Sequence, residues 1–138
     1  MNFASLNFTA ALVGAVIAMA IGMYWYSPYG FGKQWIAGLG LSEHQIAEGK
    51  KKNMKKVYGM ALVNSLVMVA VLNILINELG VYTVGGGIAT GLFVAIGFCA
   101  TSLFSGVLWE GKKLNVFFIN AGYYAVLLMI LGALFAKW

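Results

Sequence analysis

Within otherwise apolar stretches, the chain places a few side chains that can hold a polar ligand by hydrogen bonds: Asn64, Asn73, Thr90, Thr101, Ser105, Asn120 and Tyr124. Amides and hydroxyls offer neutral donors and acceptors. They suit the binding of an uncharged molecule, or the bonding of one membrane helix to the next. Asn64 and Asn73 are nine residues apart, about half a turn out of phase on a helix, so they cannot both line one straight lumen. At least one of them is expected to bond a neighbouring helix or subunit, the ordinary use of asparagine in a membrane. Asn120 and Tyr124 are one turn apart and can share a face.

A second group is aromatic. Residues 23–35 read MYWYSPYGFGKQW, with six rings around the only proline of the chain. Trp25, Tyr26, Tyr29, Phe31 and Trp35, with Tyr24, fall where a helix stopped by Pro28 leaves the hydrocarbon. Such rings are apolar bodies whose N–H or O–H wants water, so an interfacial anchor is one reading. The other is a mouth or lid for a small apolar or aromatic ligand. Gly30 and Gly32 allow the tight turns that either reading needs.

Other chemistries lack their parts. The single cysteine, Cys99, excludes an internal disulfide, a dithiol pair and a cysteine zinc site. The single histidine, His44, sits in a polar stretch, so no histidine pair spans a membrane to hold a haem. The glycine run at 85–87 lacks the lysine and hydroxyl of a phosphate-binding loop. No catalytic residue, cofactor or metal is assigned.

The elements that position these residues follow from composition. Of 138 residues 62% are hydrophobic and 9% charged, more apolar surface than a water-soluble fold of this size can hide. The expected fold is an all-α membrane protein, a single domain over residues 1–138. Four transmembrane helices form a bundle with a structured cytoplasmic first loop. The spans are placed at about 8–26, 57–76, 84–109 and 116–136, with the loop at 27–56. The start has no basic stretch and no clear cleavage site, so the first span is expected to be retained as a helix. In the loop, Ser42 and Gln45 of SEHQ form a capping-box pattern, opening a helix that could run on into the second span.

Lysines set the orientation. Lys50, Lys51, Lys52, Lys55 and Lys56 crowd before the second span, and Lys33, Lys112 and Lys113 join them on the same side, against Lys137 on the other. Positive loops stay inside, so both termini are expected on the non-cytoplasmic side of the cell membrane. The net charge of +5 therefore reads as topology and contact with anionic lipid, not as nucleic-acid binding.

Small residues predict the packing faces. Gly14, Ala18 and Gly22 repeat every fourth residue on the first span. On the third, Gly87, Thr90, Gly91, Val94, Gly97, Thr101 and Ser105 form a stripe expected to pack on protein. Leu92, Phe93, Ile96, Ala100, Leu103 and Val107 are expected to face lipid.

WYSPYGFGKQW, the lysine run before the second span and LNVFFINAGYY at the start of the fourth resemble the membrane proteins grouped as "domain of unknown function 1761". The resemblance covers the whole chain. It implies four spans and brings no activity with it. The functional expectation is a homo-oligomeric bundle that binds or passively passes a small molecule, lipid or ion. The alternatives are a coupled small-solute transporter, and a membrane enzyme using the basic loop to hold an anionic cofactor. Proton coupling normally needs an intramembrane acid or histidine, and the spans have none between their ends.

Overall fold

Asn7 opens the first long helix by accepting a hydrogen bond from the Ala10 N–H, and α1 runs Phe8–Trp25. The structure is a computed structural model and describes residues 2–138. Two short helices follow, α2 at Gly32–Leu39 and α3 at Glu43–Lys50. The Ser42–Gln45 capping box is formed, with both of its reciprocal bonds present. α3 does not continue into the second span. The chain breaks at Lys51, and Asn53 caps a new helix, α4, at Met54–Glu78. The asparagine side chain takes up an N–H that a helix start leaves free, which makes a fresh start cheaper than a through-helix carrying Gly49 and five nearby lysines.

Thr83 caps α5, Val84–Val94, through the Gly86 N–H. A π-helical stretch at Ala95–Ala100 joins it to α6, Thr101–Glu110, so the third crossing is one rod. Gly111, at φ 69°, adopts the left-handed conformation that ends α6. α7 covers Leu114–Phe135. Four of these rods are long and apolar enough to cross a membrane, and no strand forms among the described residues. The chain is a multi-pass membrane protein with an all-helical bundle.

α7 is the central helix, touching α1, α2, α4, α5 and α6. Its tightest partner is α5. A Cβ on Gly87 would strike the Gly132 carbonyl, and one on Gly91 would strike the Leu128 carbonyl, so the two backbones are in direct contact. On the other side, α1 lies on α4 with Ala10, Ala11, Gly14, Ala15 and Ala18 buried. A Cβ on Gly14 would come within 2.6 Å of Val69 and 2.8 Å of the Phe135 ring. The core is built from Val69, Leu72 and Ile76 of α4 with Leu127, Leu128, Leu131 and Phe135 of α7.

That core lies mainly in the half of the bundle nearest the chain termini. There Asn73, only 1% exposed, accepts from the Asn7 N–H at 2.9 Å, and Asn77 donates to the Ser5 carbonyl at 2.8 Å. These amides fasten the start of the chain to the end of α4. Toward the lysine-rich end the packing loosens. From Met54 to Asn64 α4 buries no residue.

The third span departs from its predicted face. Gly87 and Gly91 pack as expected, and Thr90 is half-buried with its hydroxyl donating to the Gly86 carbonyl at 2.8 Å. Gly97, Thr101 and Ser105 are exposed, whereas Leu103 and Val107 are half-buried and Gly106 is buried. The cause is the π-helical stretch. A π turn holds about one residue more than an α turn, so it carries every later side chain round the axis relative to an unbroken 3.6-residue count. The Thr101 hydroxyl turns back to the Gly97 carbonyl at 2.7 Å, and Ser105 to that of Thr101 at 3.4 Å.

Candidate functional site

The aromatic segment folds as a tight reversal beneath α1. Pro28 stops the helix, the Gly30 and Gly32 N–H groups both donate to the Ser27 carbonyl at 3.0 Å, and Phe31 N–H donates to Trp25 at 2.7 Å. The two glycines are required by space. A Cβ on Gly30 would lie 2.5 Å from the Tyr24 carbonyl oxygen, and one on Gly32 would overlap that of Tyr26. The reversal sends α2 back against the start of α7, where a Cβ on Gly38 would meet Val116 at 2.5 Å.

This geometry gathers four of the five predicted mouth residues. Trp25 packs on Phe31 with ring centroids 4.8 Å apart, and its indole donates to the Ile119 carbonyl at 3.0 Å. Tyr26 meets Trp35 edge-on at 5.0 Å and donates its hydroxyl to Asn120 at 2.8 Å. Tyr29 stays outside the cluster, 89% exposed. Pairs of this kind each contribute on the order of 1 kcal/mol beyond burial. They fix the Tyr26 ring in place. The Trp35 indole nitrogen is buried and has no hydrogen-bond partner among the described residues.

Tyr26 is the predicted mouth residue that reaches a cavity. Between α1, α4 and α7, at the lysine-rich end, a cleft of about 600 Å³ opens where α4 leaves the bundle. Its apolar wall comes from Ala18, Met19, Met23 and Ala61. Its polar groups are Tyr26, Tyr58, Tyr123, Tyr124, Asn64 and Ser65. Tyr123 donates to the Ala18 carbonyl at 3.2 Å and packs on Tyr26 at 5.5 Å and Tyr124 at 5.1 Å. A row of phenols thus crosses the back of the cleft. Gly22 makes room for it, since a Cβ there would press on the Tyr123 hydroxyl at 3.3 Å.

The predicted polar residues therefore divide. Asn64 and Tyr124 line the cleft, and Asn120 supports it through Tyr26. Asn73 is structural, and Thr90, Thr101 and Ser105 lie on the third crossing, away from it. Ser65, a polar residue of the second span, lines the cleft too, and Tyr58 and Tyr123 were missed. Tyr123 sits beside Tyr124 in INAGYY, and Asn120, Tyr123 and Tyr124 at helical spacing are the signal that marks this face of α7. Lys50, Lys51, Lys52, Lys55 and Lys56 are all exposed. Among the described residues no three His, Cys, Asp or Glu side chains converge to hold a metal. The arrangement can receive an apolar body and bond a few neutral polar atoms.

No curated protein and no solved structure matches the chain significantly. A family model does, over residues 9–136, and with nearly the whole chain matched the protein belongs to the family described as "Protein of unknown function (DUF1761)".

Proposed function

We propose that this protein is an uncoupled membrane binding protein that takes an amphiphilic small molecule or lipid into the cleft between α1, α4 and α7. The observation that carries the reading is the cleft itself: about 600 Å³, apolar walls and a row of tyrosines held by hydrogen bonds and ring contacts. Ligand pockets are typically of this size and mix apolar lining with a few placed polar groups. The absence of acidic and histidine side chains between the ends of the spans favours binding or passive passage over proton-driven transport.

A neutral diazirine-bearing fatty alcohol in vesicles tests this. Photolabelling should concentrate on Met19, Met23 and Tyr58, and Ala61→Phe should reduce it by filling the cleft. Equal labelling of the cleft and of the exposed residues Val16 and Phe93 would show that no site exists.

The reading includes an orientation and an assembly. The lysine-rich end faces the cytoplasm, supported by the eight-to-one split of lysines between the two ends. With Cys99 replaced, a cysteine at Lys51 should resist an impermeant thiol reagent added outside intact cells. Efficient reaction there would reverse the orientation. The exposed small-residue face of Gly97, Thr101 and Ser105 supports self-association, because small residues let helices of two copies approach. A native mass of one 14.8 kDa chain would remove that part.

A further inference from the structure

We infer that two copies of this chain pair in the membrane along the outer face of α4, with their Asn64 amides hydrogen-bonded to each other across a two-fold seam. The contact is separate from the cleft ligand and from the Gly97 face, and it stands without either.

Along α4, Val57, Met60, Asn64, Val67 and Val71 follow one another in alternating steps of three and four residues. That is the a and d spacing of a seam between two helices, and at 100° per residue it fills an arc of about 80°. Its apolar members are between 40% and 65% exposed, and Asn64 is exposed with them. Ser65, Val69, Leu72, Asn73 and Ile76, which α4 buries in the bundle, lie almost opposite. The seam therefore points away from the protomer's own core.

An outward apolar stripe needs only lipid, but its amide needs more. Asn64 lies eight residues beyond Lys56, about 12 Å along the helix, inside a hydrocarbon core ~30 Å thick whose edge the lysines mark. A side chain so short cannot reach the headgroups from there. Every other asparagine among the described residues uses its side chain in a hydrogen bond, from Asn2 and Asn7 to Asn115 and Asn120. The Asn64 side chain makes none. Acyl chains offer neither donor nor acceptor, so a bare amide among them is costly.

A second copy supplies the missing partner. Chains inserted under the same lysine bias lie parallel, and a two-fold axis along the membrane normal then brings each seam residue to its own counterpart. Asn64 meets Asn64. An amide is self-complementary in charge, since the N–H of one copy donates to the carbonyl of the other. One asparagine among apolar a and d residues fixes the register and the strand number of paired helices, and asparagine bonds helices together within membranes. Lys56 flanks the first seam residue at the level of water, where long stems and salt let two like charges stand apart.

The full chain carrying Cys99→Ser would be given single cysteines along α4, placed in phosphatidylcholine vesicles and mildly oxidised. Met60→Cys and Val67→Cys should cross-link at least about tenfold faster than Leu62→Cys and Val16→Cys, because a disulfide needs Cα atoms within about 7 Å. Leu62 and Val16 are themselves exposed, so access alone does not separate the two pairs. Energy transfer between labelled copies should show Asn64→Leu weakening the dimer about tenfold and Asn64→Gln much less. Uniform cross-linking around α4, or none at the seam, would overturn the inference. So would a dimer unchanged in Asn64→Leu, and if that variant also loses the diazirine labelling of the cleft, the amide belongs to the cleft ligand instead.

Discussion

Gly91→Leu is expected to prevent the third and fourth crossings from packing. Even the first added atom would overlap the Leu128 carbonyl and lie 2.9 Å from the Met129 nitrogen, and a backbone inside a helix cannot step aside as a side chain can. Overpacking in cores costs about 1–3 kcal/mol where side chains can yield. With backbone on both sides, the loss should exceed that range, a large share of the ~5–15 kcal/mol by which folded proteins exceed their unfolded states. The internal control is Gly85→Leu. Its Cβ would meet nothing within 4 Å, so the protomer should fold as before. Thermal melting and size-exclusion elution in detergent separate the two. If Gly91→Leu melts like the wild type, the α5–α7 contact is misplaced.

Gly32→Ala is expected to disturb the candidate site from outside it. The added methyl would collide with the Tyr26 carbonyl and stand 2.7 Å from that of Ser27. Relief requires the reversal after α1 to open, and that moves Tyr26 away from Trp35 and Asn120. The cost should be about 1–3 kcal/mol, with a matching drop in melting temperature. The cleft should also lose its diazirine labelling, because Tyr26 belongs to its wall. Tyr29→Ala, in the same turn but 89% exposed, should change stability by about 0.5 kcal/mol or less. Equal effects of the two substitutions would mean that the turn is a tether without a role in shaping the cleft.

What could be read before folding was whatever depends on near neighbours along the chain. The four crossings, the stop at Pro28 and the box at Ser42–Gln45 all appear within a few residues of their expected places. Hydrophobic length sets a crossing, and a cap is a bond to a backbone group two or three residues away. The small-residue face of α1 was legible for the same reason, because α1 is a regular helix and a constant angle per residue carries its face from Ala11 to Ala18.

Tertiary structure decided what depends on partners or on a break in that regularity. The π-helical stretch at Ala95–Ala100 turned Gly97, Thr101 and Ser105 outward, and no rule of constant periodicity can anticipate an added residue in one turn. Gly132 became the partner of Gly87 only once α5 and α7 lay together. Asn64 and Asn73 are the same residue type on the same helix, and the sequence could say only that they face different ways. The fold gave Asn73 to the backbone of Asn7 and left Asn64 at the cleft, because one half of α4 is packed by α1 and α7 and the other half diverges from them. Local sequence determined which segments enter the membrane. The cleft exists because two of those segments part company near one end, and that separation is a property of three helices together.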